Sequence, residues 1–131
     1  MISGSYLCGS VRYRIRGPLG EASHCHCGMC RKAHGAAFGS YAGVNAEDFE
    51  LLSGADSIAV YRSSPGIVRS FCRGCGSTLQ FIVESRPQRF SIALGTLDDD
   101  PLVRPACHIF VESKAPWFEF DDELPRHAAY P

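Results

Sequence analysis

The stretch His24-Cys25-His26-Cys27-Gly28-Met29-Cys30 holds three cysteines and two histidines within seven residues, and Cys72-x-x-Cys75-Gly76 follows further along. With Cys8 and Cys107 the chain has seven cysteines, an odd number that cannot pair completely as disulfides. The opening residues lack a basic segment followed by an apolar run, and nothing approaches the roughly 18 apolar residues of a membrane span. A soluble, cytoplasmic protein is therefore expected. In that compartment thiols stay reduced, so clustered cysteines read as metal ligands or catalysts. The 131 residues are expected to form one domain, 1–131, with a moderate core for which a metal staple would matter.

Around the cysteines the pattern is one of short strands. VRYRIR, residues 11–16, alternates apolar and basic with period two, which turns Val11, Tyr13 and Ile15 inward. Further strands are predicted over 38–44, 49–52, 58–62, 67–72, 78–83, 90–94 and 107–111. Ser63-Ser64-Pro65-Gly66 forms a turn between two of them. Asn45 is placed to cap a short helical turn ending at Asp48. No window shows sustained helical periodicity, and the tail from 115 to 131 is expected to pack over a sheet edge. The fold class is mainly β.

Cys72-x-x-Cys75-Gly76 sits between two strand patterns, as in a zinc knuckle whose hairpin tip presents two thiolates to one ion. Cys8, at the front of the first strand pattern and also followed by glycine, is a third ligand for this clip. A redox Cys-x-x-Cys would instead open a helix after a strand. In the first cluster, an extended 24–27 projects Cys25 and Cys27 to one face and His24 and His26 to the other. A turn at Gly28-Met29 brings Cys30 back to join them. Three protein thiolates with a fourth position left open are the pattern of a catalytic zinc, and a soft incoming ligand such as a thiol suits it. Arg31 and Lys32 are candidates to offset the charge or to hold a substrate carboxylate. The plainer alternative lets Cys25 or Cys27 complete the Cys72–Cys75 clip, with a single metal and no chemistry. His24 and His26 are assigned surface or packing roles, and Cys107 that of a small buried apolar residue.

The motifs Cys8 to Tyr13, His24 to Gly35, Phe71 to Ser77, Gly95 to Pro101 and His108 to Trp117 resemble, in order and over nearly the whole chain, the glutathione-dependent formaldehyde-activating enzyme family, which also includes centromere protein V. The resemblance implies a β-tent fold of short antiparallel strands. It also implies one structural and one catalytic Zn2+, the latter on Cys25, Cys27 and Cys30. The activity implied is the reversible condensation of formaldehyde with glutathione, a carbon–sulfur lyase reaction with a small-molecule thiol and an aldehyde as partners. This chain departs from the family at Tyr6-Leu7-Cys8-Gly9, where the pattern has Cys-x-Cys-Gly. The structural site, with Cys8, Cys72 and Cys75, then needs a fourth donor, for which water, Cys25 and Cys107 are the candidates.

The leading expectation is a zinc-dependent lyase-like enzyme with Cys25, Cys27, Cys30 and Arg31 at its centre. The alternative is a non-catalytic, zinc-stapled binding module. A net charge of −1 and the lack of a basic run argue against nucleic acid as a partner. Asp98-Asp99-Asp100-Pro101 reads as a turn or as a carboxylate cluster. Lys114 and Trp117 read as a cradle for a small anion or as surface and core.

Overall fold

Val11, Tyr13 and Ile15 are fully buried in the computed structural model, which describes all 131 residues. The strands, in chain order, are β1 (Ile2–Ser5), β2 (Arg12–Ile15), β3 (Ala22–Cys25), β4 (Gly39–Asn45), β5 (Phe49–Ser53), β6 (Ile58–Ser64), β7 (Ile67–Cys72), β8 (Thr78–Val83), β9 (Arg89–Ala93) and β10 (His108–Ile109). One α-helix, α1 (Gly28–His34), stands between β3 and β4. The protein is thus mainly β, as its short alternating segments lead one to expect.

The strands form two sheets. The smaller has the order β1-β2-β5 and the larger β10-β3-β4-β9-β8-β7-β6. All pairings are antiparallel except that of β10 with β3. Tyr6, Val11, Tyr13 and Ile15 from the smaller sheet side meet Val44, Cys72, Leu79, Phe90 and Ile92 from the larger one in a single core cluster. Each fully buried apolar side chain of this kind contributes about 1.5–3 kcal/mol. Because side chains alternate along a strand, the opposite face of the larger sheet carries Cys25, Tyr41, Arg69 and Ser91, which line a cavity, and Phe81 joins them where the β7–β8 register shifts.

Several details differ from the sequence reading. The last strand ends at Ile109 rather than reaching Val111, because Phe110 turns into the left-handed region at φ 55 and the chain enters a 3-10 turn. Asn45 precedes a 3-10 turn at Ala46–Asp48, but its side chain donates to Asp48 Oδ2 at 3.5 Å and caps no backbone N–H. Helix α1 was not foreseen. Beyond β10, the tail packs on the sheet edge through backbone bonds: His108 N–H donates to Pro125 O and His127 N–H to His108 O, each at 2.9 Å.

Candidate metal centres

β3 ends at Cys25 and α1 begins after Cys27, so the first cysteine cluster lies on a strand-to-helix corner. Cys27 is the N-cap residue of α1, and its Sγ accepts the Cys30 N–H at 3.3 Å. Gly35, at φ 60, closes the other end of the helix in the left-handed conformation that glycine adopts without a Cβ clash. The Sγ atoms of Cys25, Cys27 and Cys30 all lie within 4.8 Å of one another, and no histidine or carboxylate joins them. Hydrogen bonds from the Cys25 and Cys30 thiols bring Cys27 down to about 2, and the same thiol contacts push Cys25 far up. The three sulfurs thus hold their protons unequally, and a bound cation would displace those that remain.

These cysteines lie in the wall of a cavity of about 860 Å³, within the usual range for small-molecule sites. Arg69, on β7, reaches them from the neighbouring part of the sheet. It is 7% exposed, places Nη1 and Nη2 at 3.7 and 3.8 Å from Cys30 Sγ, and stacks over Phe81 at 5.0 Å. Its Nε donates to Ser63 Oγ at 3.1 Å. Arg89 also lines the cavity, lying so close over the β4 backbone that a Cβ on Gly43 would meet its Nη2 at 2.5 Å. Arg31 and Lys32 are not in the lining. Arg31 Nε is buried without a hydrogen-bond partner, and Lys32 is exposed. The cation beside the cluster is therefore Arg69, a residue that the sequence reading passed over.

The second cluster joins two hairpin tips. Cys8 comes from the β1–β2 turn, and Cys72 and Cys75 from the β7–β8 turn, their three Sγ atoms again within 4.8 Å. Cys8 Sγ and Cys72 Sγ are 3.7 Å apart. Two sulfurs on a tetrahedral zinc, each about 2.3 Å from it, are about 3.8 Å apart, so the donors fit that ion. The Cys75 N–H donates to Cys72 Sγ at 3.4 Å, the same contact that Cys30 makes to Cys27. The Ser77 hydroxyl draws Cys75 down to about 6. The larger sheet separates the two clusters: Cys72 belongs to the core between the sheets, and Cys25 and Cys30 to a smaller core cluster with Tyr41, Ala93 and Ile109. Cys25 and Cys27 therefore do not complete the clip. Cys107 is half-buried against the smaller cluster, and burial raises its thiol pKa.

Behind the first cluster lies a buried polar chain. His26 Nε2 and His108 Nδ1 are 2.8 Å apart, and His108 Nε2 lies 2.9 Å from Asp122 Oδ2. His24 faces the same side, 2.8 Å from Ser40 Oγ. Phe38, Phe118 and Phe120 surround His26, and burial lowers its pKa to about 4. The parallel pairing of β10 with β3 creates this contact by setting His108 beside His24. The acidic run is occupied structurally: Asp98 accepts from Ser5 Oγ at 2.9 Å, Asp99 from Ser3 N at 2.8 Å, and Asp100 pairs with Arg104 at 2.8 Å. Lys114 Nζ donates to the carbonyls of Ala115 and Phe118, and Trp117 is exposed.

Residues 1–113 match the model of the family described as glutathione-dependent formaldehyde-activating enzyme. A Halomonas elongata protein named "Putative glutathione-dependent formaldehyde-activating enzyme" is 32% identical over 133 aligned positions, covering 92% of this chain and 82% of that protein. Among solved structures, a crystal structure of a Rhodobacter sphaeroides protein superposes with a TM-score of 0.62 at 22% identity, covering 75% of this chain and 89% of that one. That likeness supports the fold.

Proposed function

Because the chain belongs to the glutathione-dependent formaldehyde-activating enzyme family, we propose that the cavity over Cys25, Cys27 and Cys30 joins a small-molecule thiol such as glutathione to formaldehyde or a similar small aldehyde, and cleaves the adduct in reverse, as a carbon–sulfur lyase. The observation that carries this reading is three convergent thiols and a buried guanidinium in one cavity. When bound to Cys25, Cys27 and Cys30, zinc would supply a fourth position at which an incoming thiol is acidified and held as thiolate.

The chain's own residues do the rest. Three thiolates on a dication leave one net negative charge, which would repel a second anion, and the fixed charge of Arg69 offsets it. The Phe81, Ile109 and Phe110 side chains in the cavity wall limit water around the reacting groups. The thiolate sulfur attacks the carbonyl carbon, a carbon–sulfur bond forms as the carbonyl π bond breaks, and the new alkoxide takes a proton from solvent. The Arg89 guanidinium is placed to hold a carboxylate of the thiol carrier.

Formaldehyde and thiols combine unaided, so the test is a rate. Exchange between free glutathione and its hydroxymethyl adduct, followed by carbon-13 NMR with labelled formaldehyde, should be faster with zinc-loaded protein than without it. Cys27→Ser should return the rate to background. Loss of Arg89 (Arg89→Ala) should raise KM for glutathione about tenfold, the weight of one charge-assisted hydrogen bond, with kcat little changed. Zinc-loaded protein that adds nothing to the background rate favours the stapled binding module instead.

A further inference from the structure

The clip has three cysteines where the family pattern has four, and the structure narrows what takes the remaining corner. Tyr6 occupies the fourth cysteine's place in sequence but not its chemistry. It is 2% exposed within the core between the sheets, and its Oη has no hydrogen-bond partner. A phenol, with an ordinary pKa of about 10, is a poor zinc ligand at neutral pH. Cys25 is held with Cys27 and Cys30 on the far face of the larger sheet, and Cys107 packs against that same cluster.

Besides solvent, two hydroxyls remain. Ser77 Oγ is 3.3 Å from Cys75 Sγ but already accepts the Leu7 N–H at 2.9 Å. Ser10 Oγ lies 3.0 Å from Cys8 Sγ and 3.9 Å from Cys72 Sγ and makes no other hydrogen bond. For a tetrahedral ion with zinc–sulfur bonds of about 2.3 Å and a zinc–oxygen bond of about 2.0–2.2 Å, sulfur and oxygen are about 3.5 Å apart. The two separations from Ser10 bracket that value. We propose that the clip is a three-sulfur, one-oxygen metal site in which the Ser10 hydroxyl is the fourth donor.

Cys8 and Ser10 are both exposed, so this corner faces solvent. A neutral hydroxyl in that position binds a borderline-soft ion less firmly than a thiolate does. The clip then releases metal more readily than a four-cysteine clip. This inference concerns the ion at the hairpin tips and does not depend on any activity in the cavity.

Cadmium-113 NMR of the full chain loaded with two equivalents of the metal tests it, because three-sulfur, one-oxygen and four-sulfur sites resonate in separate ranges. Two resonances are expected. Ser10→Ala should move one of them and leave the other, whereas Ser77→Ala, which loses a hydrogen bond to Cys75 Sγ, should leave the clip signal within the three-sulfur, one-oxygen range. Tyr6→Cys should carry the Ser10-sensitive resonance into the four-sulfur range and slow zinc transfer to a chelator at least tenfold. If the loss of Tyr6 from the core prevents folding, Ser10→Ala decides alone, since its side chain is exposed. The proposal is overturned if Ser10→Ala shifts neither resonance, if Ser77→Ala carries the clip signal out of the three-sulfur, one-oxygen range, or if a wild-type signal that Cys8→Ser abolishes already lies in the four-sulfur range.

Discussion

A guanidinium taken out of water costs several kcal/mol unless a negative charge meets it. Arg69 meets that cost beside the cysteine cluster, where burial opposes its charge but the neighbouring sulfurs, Cys30 foremost, outweigh it and the guanidinium pKa rises. Arg69→Met should therefore weaken zinc binding at the first cluster by about 10–100-fold, the usual weight of an outer-shell partner. Equilibrium dialysis against competing chelator would show this as the selective loss of one of two bound ions. The six candidate ligand cysteines are legible in the sequence as two close-spaced groups, Cys25-x-Cys27-x-x-Cys30 and Cys72-x-x-Cys75, which the fold completes by bringing Cys8 to the second. Arg69 was not, since an arginine on an alternating strand reads as solvent-facing, and only the sheet order reveals what covers it. Arg31 misled for the opposite reason. Adjacency to Cys30 counts for little on a helix, where successive residues diverge by about 100°. The histidines give a pH prediction. Burial lowers His24, His26 and His34, with His26 at about 4 against an ordinary 6.5. The unfolded chain takes up protons that the folded one refuses, so this stability is complete above about 6.5 and is lost as pH falls toward 4. Urea melts across that window should show the decline, with a shallower slope in His26→Gln at equal metal loading.

Among the elements, α1 is the clearest case of structure hidden from the sequence. Seven residues between glycines give too little periodicity to register, yet the helix is what turns Cys30 back onto Cys25 and Cys27. Its caps are specific. Gly35→Ala forces a Cβ into a left-handed conformation and should cost about 1 kcal/mol, read as a lowered Tm without loss of metal. The strands were visible because their faces differ. Val11, Tyr13 and Ile15 alternate with charge, whereas β1, with the sequence ISGS, has no such contrast and was missed. The end of the chain behaves as an added edge element, tied down where Asp122 accepts from the buried His108. Asp122→Ala leaves that imidazole nitrogen unsatisfied and should cost about 1–3 kcal/mol. Hydrogen exchange at the His108 and His127 amides should rise with it.

At the scale of the molecule, one sheet keeps two three-cysteine clusters on opposite faces. On one face Cys72 is part of the core, so a metal held there would act on the same residue as the hydrophobic packing. On the other, the thiols line a cavity and support only a corner of the fold. This partition was not readable from the sequence. It depends on the order in which seven strands are laid side by side, including the parallel insertion of β10 next to β3. It also gives the two clusters different consequences when broken. The most direct test compares the metal content, thermal unfolding and formaldehyde–glutathione exchange rate of Cys27→Ser and Cys72→Ser with those of the unaltered protein. The account predicts that Cys27→Ser stays folded with one metal and background exchange, while Cys72→Ser loses cooperative unfolding. A Cys27→Ser protein that retains both metals and the full exchange rate would contradict it.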